Sequence, residues 1–223
     1  MAIHRRDYTD PSRVAEAAGP RPEITSTGYD RRISLPVIRR IRAAEDAVIS
    51  PIFHDRVRPG DSILEVGAGT GYYTFRFARA AGKLTAVDSN PSMVKHLKRE
   101  IERAELHNIE VVSGDFLTYG TGPTYDWVIA LGVLEYQENP SDFLNRIISF
   151  SRRWVLITLP TPGVWGRIYR AASCMRGTRI NLFTKSEIRN RYGPSIVHLE
   201  DVGLKSRVSG GVTLICLIER KMS

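Results

Sequence analysis

The chain has 223 residues, of which 42% are hydrophobic and 25% charged, and these values are typical of one globular domain with elaborations. Two cysteines, Cys174 and Cys216, are too few for a disulfide framework and lack metal-ligand spacing, which indicates a reducing, cytoplasmic compartment. The N-terminus is charged and the longest apolar run, residues 127–134, is far shorter than a membrane helix. We therefore expect neither a signal peptide nor a membrane span.

The positive charge is concentrated in the last third of the chain. The formal net charge is +8, but residues 61–150 carry −4 and residues 151–223 carry +9. This asymmetry indicates either an anionic partner or a solvated basic face on the C-terminal side.

Residues 1–60 are predicted to form an N-terminal arm and a helical cap. Residues 1–32 are rich in Pro, Gly, Arg and Asp and have no sustained period. From Ser34 to about Ser50, apolar residues recur at helical spacing between charged ones. A turn at residues 58–61 then separates the cap from the predicted main domain, residues 61–223.

In the main domain, short apolar runs alternate with helical patterns. Strands are predicted at residues 62–66, 83–88, 109–113, 127–131 and 155–159, and helices at residues 71–81, 92–104 and 141–151. This alternation predicts parallel strands with right-handed crossovers. Two further strands, at residues 197–202 and 212–218, are joined by a short glycine-rich link and must pair antiparallel. We therefore predict an α/β fold, a doubly wound and mostly parallel seven-stranded sheet ending in an antiparallel hairpin, with an insert at about residues 160–194.

A glycine-rich loop follows the first predicted strand. Gly67, Gly69 and Gly71 alternate with Ala68 and Thr70, which allows a tight turn and close approach of a ligand to bare backbone. Open α/β sheets bind ligands at this end of their strands. The dinucleotide fingerprint requires a third glycine at position 72, where Tyr72 stands, so NAD, FAD and a dehydrogenase activity are disfavoured.

Two acidic residues at the ends of neighbouring strands are predicted to lie beside the glycine-rich loop and to form one site with it. Asp88 ends the second strand, where a carboxylate can accept hydrogen bonds from both hydroxyls of a ribose. Asp115, after the third strand, can accept from an exocyclic amine, and the Phe116 ring beside it can cover the face of a base. Together these residues predict a site for an adenosine that does not require phosphates.

This constellation resembles the class I, Rossmann-like S-adenosylmethionine-dependent methyltransferases, and the match runs from about residue 61 to residue 159. The resemblance implies S-adenosyl-L-methionine as cofactor, S-adenosyl-L-homocysteine as product, and no metal. It implies that Glu65 receives the amino group of the cofactor and orders the loop. It also implies a set of cofactor-binding residues: Glu65, Gly67, Ala68, Gly69, Gly71, Asp88, Ser89, Asp115, Phe116, Leu131, Gly132 and Val133.

The segment after the fourth strand limits the classes of methyl acceptor that the sequence predicts. Residues 130–133 lack the proline-rich motif of adenine amino-methyltransferases, and the paired glutamates of arginine methyltransferases and the metal ligands of catechol methyltransferases are missing. The segment is similar to small-molecule methyltransferases such as those of quinone or tetrapyrrole biosynthesis. Tyr136 stands where these often carry a histidine, so no catalytic base can be assigned.

Substrate specificity is expected to lie in the arm and the insert. In the insert, Trp165, Ile168, Tyr169, Ala172 and Met175 form one helical stripe with arginines beside it. The stripe predicts either a lid helix packed on the domain or a basic amphipathic helix that contacts an anionic membrane or an apolar, acidic substrate. Candidate substrate contacts are Tyr29, Glu135, Tyr136 and Trp165.

The sequence therefore predicts a methyltransferase that moves a methyl group to a small-molecule acceptor by in-line displacement. The insert arginines would suit an acceptor that carries a carboxylate or phosphate. An RNA methyltransferase that uses the basic C-terminal third is an alternative, although no RNA-binding motif is visible. A non-catalytic module that binds the cofactor is another. The sequence leaves open the acceptor, the methylated atom, the oligomeric state and peripheral contact with a membrane.

Overall fold

A computed structural model describes residues 36–120, 124–203 and 211–220. In these ranges one sheet is formed by seven strands: β1 Ser62–Val66, β2 Lys83–Asp88, β3 Ile109–Ser113, β4 Tyr125–Ala130, β5 Ser151–Pro160, β6 Ile196–Val202 and β7 Thr213–Glu219. The spatial order is β3-β2-β1-β4-β5-β7-β6. The first five strands are parallel, and β7 lies antiparallel between β5 and β6. The predicted fold class is confirmed.

Helices connect the strands and cover the sheet. They are α1 Pro36–His54, α2 Thr74–Ala80, α3 Pro91–Arg103, α4 Pro140–Phe150, α5 Val164–Cys174 and α6 Lys185–Tyr192. Local sequence accounts for several of their starts. Asn90 caps α3 by accepting hydrogen bonds from the amides of Ser92 and Met93, with a proline in the first turn. Thr184 and Glu187 form a capping box at the start of α6.

Successive strand residues point to opposite faces of the sheet, and each face has its own core. One core centres on Trp127 and Phe77, and the other includes Phe116, Phe143 and Phe150. Strands β1 and β4 contribute to both cores, and most of their residues are buried.

Helix α1 packs on the Trp127 face and extends further than predicted. The Phe53 ring lies 4.6 Å from the Phe77 ring and 5.1 Å from the Trp127 ring, between ring centroids. The predicted end near Ser50 was wrong, because α1 continues through Pro51 to His54. Burial of Ile52 and Phe53 against the sheet outweighs the backbone hydrogen bond that proline cannot donate.

The amino ends of the strands are held by a buried acid, Asp61. Its carboxylate accepts hydrogen bonds from Trp127 Nε1 at 3.0 Å and from Arg153 at 2.8 Å. The backbone amide of Arg58 donates to the same carboxylate at 3.0 Å. These contacts lie at the end of the sheet opposite the glycine-rich loop, so they stabilise the fold without forming part of the site described below.

The insert contains two helices, α5 and α6, where the sequence indicated one. No helix in the described ranges is both long and apolar enough to cross a bilayer. The stripe predicted for α5 is largely exposed to solvent. Ile168 is 52% exposed and Met175 83%, whereas Gly166 and Ser173 form the buried side. Trp165, Ile168 and Met175 of the stripe thus face solvent, whereas Tyr169 and Ala172 are partly buried.

Candidate active site

The glycine-rich loop requires its glycines both for conformation and for space. Gly67, Gly69 and Gly71 have φ of 72°, 57° and 88°, in the left-handed region that favours glycine. A Cβ on Gly67 would stand 2.5 Å from Cγ2 of Val133, and one on Gly71 would stand 2.5 Å from Cδ1 of Leu97. The loop is therefore fitted between the end of β4 and the helices that follow β1 and β2.

Asp88 fastens this loop to the end of β2. Its Oδ2 accepts a hydrogen bond from the amide of Gly69 at 2.7 Å, and its Oδ1 accepts from the amide of Asn90 at 2.8 Å. Burial raises the pKa of Asp88, and the two amide hydrogen bonds oppose this rise. Each carboxylate oxygen can accept a second hydrogen bond, so Asp88 can also bind two hydroxyl donors.

Glu65 lies at the carboxyl half of β1 and is 5% exposed. Its Oε2 has no hydrogen-bond partner among the described residues. Burial raises the pKa of Glu65 to about 8; the Thr74 hydroxyl opposes this rise, and the charge of Asp88 adds to it. A buried carboxyl with a raised pKa is suited to bind a positively charged donor. Such a donor would give a hydrogen bond to Oε2 and stabilise the ionised form of the carboxyl.

The segment that carries this geometry matches known proteins. Residues 63–153 match a family model described as "Methyltransferase domain". The fold matches the crystal structure of magnesium protoporphyrin IX methyltransferase from Synechocystis PCC 6803 with bound SAH, with a TM-score of 0.70 and 22% identity. That alignment covers 95% of this chain and 100% of the other. Residues 63–153 therefore match a methyltransferase domain in sequence, and the chain shares the fold of that enzyme.

Curated relatives match shorter stretches of the chain. A probable ribosomal RNA small subunit methyltransferase A from Methanosarcina acetivorans is 43% identical over 72 residues, which is 32% of this chain and 26% of that protein. Pavine N-methyltransferase from Thalictrum flavum is 25% identical over 104 residues, which is 46% of this chain and 29% of that protein. The matches therefore span less than a third of the length of these two relatives.

The segment after β4 lies against the glycine-rich loop. Gly132 has a φ of 71°, and its amide donates to the Thr158 hydroxyl at 2.8 Å. Val133 contacts the place that a Cβ on Gly67 would occupy. Leu131 is partly buried in the Trp127 core. The structure thus brings together the loops after β1, β2 and β4, with Ser89 exposed beside Asp88.

The loop after β3 differs from the prediction in one residue. The Phe116 side chain is 3% exposed and packs on the rings of Phe143 and Phe150, each 5.4 Å away. Its ring therefore belongs to the core and cannot cover an adenine. Asp115 is exposed, and its Oδ1 accepts from the amide of Leu117 at 2.9 Å. Leu117 is 49% exposed and offers an apolar side chain beside Asp115. Leu117 was not among the site residues predicted from the sequence.

A second buried carboxyl, Glu135, follows β4. It is 7% exposed, and its Oε2 has no hydrogen-bond partner among the described residues. Its pKa is raised to about 7 by burial; its own backbone amide opposes this rise, and the charge of Glu45 adds to it. Glu45 comes from α1 and was not selected from the sequence, where it is one acid among several charged residues of a helix.

Among the predicted substrate residues, Tyr136 contacts the insert. Tyr136 and Tyr169 are joined by a hydrogen bond of 2.6 Å between their hydroxyls, which links the segment after β4 to α5. Asn181 donates from its backbone amide to the carbonyl of Glu135 at 2.9 Å and fixes the same segment from the other side. Trp165 is 39% exposed and belongs to the solvent-facing side of α5. Tyr29 lies outside the described residues.

Proposed function

We propose that the chain is an S-adenosylmethionine-dependent methyltransferase that acts on a small-molecule acceptor. The observation that carries this proposal is the contact between Asp88 and the amide of Gly69. This contact joins the glycine-rich loop to the carboxylate that would bind the ribose. The dinucleotide alternative is disfavoured because Tyr72 occupies the position of the third glycine, at 41% exposure.

The residues present fit this cofactor. Glu65 offers a buried carboxyl oxygen without a partner, which suits the amino group, and Asp88 retains acceptor capacity for two ribose hydroxyls. Asp115 suits the amine of the base, with Leu117 rather than Phe116 against its face. When bound, S-adenosylmethionine supplies a methyl group on a positively charged sulfur. The chain contributes alignment and exclusion of water.

Two comparisons support a small-molecule acceptor over RNA. The structural match that covers nearly the whole chain is to an enzyme named for a tetrapyrrole, and pavine N-methyltransferase is named for an alkaloid. The ribosomal RNA methyltransferase aligns over 72 residues only. That alignment is too short to include both the cap and the insert, where specificity is expected.

The proposal is tested by calorimetric titration of the full chain with S-adenosylmethionine, S-adenosylhomocysteine and NADH. We expect micromolar binding of both sulfur compounds and none of NADH. Asp88→Ala should abolish binding, whereas Asp55→Ala, which removes an exposed aspartate at the end of α1, should not affect it. Binding of NADH alone, or binding that is unchanged in Asp88→Ala, would contradict the proposal. Retained cofactor binding without transfer to any acceptor would favour the non-catalytic module.

A further inference from the structure

Glu135 is not needed for the cofactor contacts proposed above, yet it belongs to the same segment after β4 as the proposed cofactor residues 131–133. A Cβ on Gly132 would have Oε1 of Glu135 as its nearest neighbour, at 3.8 Å, so the carboxyl borders the loop after β4. The other oxygen, Oε2, is buried without a partner among the described residues. A buried acceptor in this position is expected to bind a donor that the chain itself does not supply.

Glu45, from the helical cap, is a second carboxyl, and its charge raises the pKa of Glu135. Its Oε1 accepts a hydrogen bond from the Thr213 hydroxyl at 2.6 Å, which fixes the side chain against the start of β7. Burial raises the pKa of Glu45, while Thr213 and the charge of Arg42 oppose this rise. Glu45 also affects the protonation of Glu135, so the two carboxyls act on each other.

The charge of this cluster defines the group that it can bind. Arg42 compensates one of the two carboxylates, which leaves one net negative charge when both are ionised. A carboxylate or phosphate would be repelled there, and an alcohol would leave the charge uncompensated. A protonated amine supplies both the missing positive charge and the missing hydrogen bond.

We propose that Glu135 and Glu45 form the binding site for the methyl-accepting group and that this group is an amine, which the pair binds and deprotonates. This inference rests on the proposed function, because it assigns the acceptor of the same site. It differs from the anionic acceptor expected from the sequence. That expectation relied on arginines of the insert, and Arg167, Arg170, Arg176 and Arg179 are all exposed.

The reaction balances with these residues. The bound ammonium gives one proton to the carboxyl pair, which passes it to solvent, and the nitrogen regains its lone pair. The lone pair then forms the new N–C bond with the methyl carbon as the C–S bond breaks. The electrons of that bond remain on sulfur, which becomes a neutral thioether, and the positive charge moves to the methylated nitrogen. Glu135 supplies the nearest carboxylate, and Glu45 acts as a positioning residue through its effect on Glu135.

The test uses four probes that share one skeleton: phenethylamine, N-methylphenethylamine, 2-phenylethanol and hydrocinnamate. Binding of each probe to the chain saturated with S-adenosylhomocysteine is measured by calorimetry at several pH values. We expect the amines to bind about tenfold or more tightly than the alcohol and the carboxylate. Glu135→Gln should remove this preference, and Glu45→Gln should shift the pH at which it appears.

Glu138→Gln is the matched control, because Glu138 is exposed and lies three residues from Glu135. It should leave amine binding unchanged. Affinity for S-adenosylhomocysteine should stay within about twofold in all three variants, since Glu65 and Asp88 are intact. Loss of S-adenosylhomocysteine binding in Glu135→Gln would assign this carboxyl to the cofactor and overturn the inference. So would equal binding of hydrocinnamate, or no binding of either amine by a chain that binds S-adenosylhomocysteine.

A separate observation concerns the outer face of α5. Val164, Ile168 and Met175 lie on one side of this helix, with Trp165 at its margin, and all four are exposed. At 100° per residue, Arg167 and Arg170 lie on one flank of this apolar strip and the buried Gly166 and Ser173 on the other side. Arg176 and Arg179 follow the end of the helix and are exposed as well.

This combination of apolar and basic side chains fits an anionic lipid surface. The apolar strip supplies groups that can insert between lipids, and the four arginines supply complementary charge beside it. RNA would engage the arginines but would leave Ile168 and Met175 in water. We infer that the outer face of α5 is a docking site for an anionic membrane. The opposite face stays linked to the active site through Tyr169 and Tyr136.

Cosedimentation with phosphatidylcholine vesicles, with and without phosphatidylserine, tests this second proposal. We expect the chain to pellet with the anionic vesicles only, and less as salt is raised. Ile168→Asp and Met175→Asp should prevent this. Val197→Asp should not, because it changes an exposed apolar residue on β6 and leaves α5 intact. The proposal is overturned if wild type does not pellet, if the α5 variants pellet like wild type, or if transfer RNA is bound equally by all variants and displaces the vesicles.

Discussion

Val133 lies so close to Gly67 that a Cβ on the glycine would stand 2.5 Å from Cγ2 of the valine. Gly67 follows β1 and Val133 follows β4, and these two strands are neighbours at the point where the strand order reverses. Open α/β sheets bind ligands at this switch point. The contact therefore fixes the separation of the two loops between which the cofactor is proposed to bind.

Gly67→Ala should damage both stability and cofactor binding. The new methyl group would meet Val133, and the φ of 72° is unfavourable for alanine. Together we expect a loss of about 1–3 kcal/mol in the free energy of unfolding, measured with urea. Val133→Ala in the same chain should restore part of this loss, because it removes the steric contact but not the backbone strain. Gly60→Ala, where a Cβ has nothing within 4 Å, should be close to neutral.

Glu65 should make cofactor binding release a proton. With a pKa of about 8, Glu65 is mostly protonated in the free chain at pH 7. The amino group of the cofactor favours the ionised form, so S-adenosylhomocysteine should displace close to one proton, and affinity should rise between pH 6 and pH 8. Calorimetry in buffers of different ionisation enthalpy measures this number of protons. It should fall towards zero in Glu65→Gln and stay unchanged in Glu138→Gln.

The same carboxyl affects stability in the opposite direction. The pKa of Glu65 is about 8 in the folded chain and 4.5 in its ordinary, unfolded environment. At pH values between these two, the folded state therefore binds more protons than the unfolded state. The free energy of unfolding should therefore fall as pH rises from about 4.5 to about 8. Glu65→Gln should flatten this fall, as measured by urea unfolding across that pH range. An unchanged slope would show that Glu65 is ionised in the folded chain.

The order of the elements was predictable because each carries a local signal. The alternation of strands and helices, the glycines of residues 67–71 and the acid at the end of β2 all follow from sequence spacing. The position of Phe116 was not predictable in this way, because whether its ring faces a ligand or the core depends on Phe143 and Phe150 far along the chain. Glu45 shows the same limit. Its proximity to Glu135 arises from packing α1 across the sheet.

Asp61 should be important for stability but not for binding. Asp61→Ala removes the partner of Trp127 Nε1 and of Arg153 and leaves both donors buried or partly buried. We expect a loss of about 2–4 kcal/mol in the free energy of unfolding. Glu110→Ala is the control, because the pair between Glu110 and Lys83 is exposed to solvent and should contribute little to stability. Affinity for S-adenosylhomocysteine should be unchanged in both, since Asp61 lies at the other end of the sheet.

Tyr169→Phe should loosen the insert without affecting the cofactor site. The change removes the hydroxyl that contacts Tyr136 at 2.6 Å, while the ring and its packing remain. Since the exposed arginines of α5 are trypsin sites, limited proteolysis should cut the variant several times faster than wild type, as expected when local opening costs less. Tyr192→Phe is the matched control, because the Tyr192 hydroxyl donates to Asn145 on α4, outside the contact between α5 and Tyr136.

If the insert positions the acceptor, Tyr169→Phe should also raise the KM for the acceptor and leave the Kd for S-adenosylhomocysteine unchanged. Equal cleavage of Tyr169→Phe and Tyr192→Phe would show that the two-tyrosine contact does not hold α5 in place.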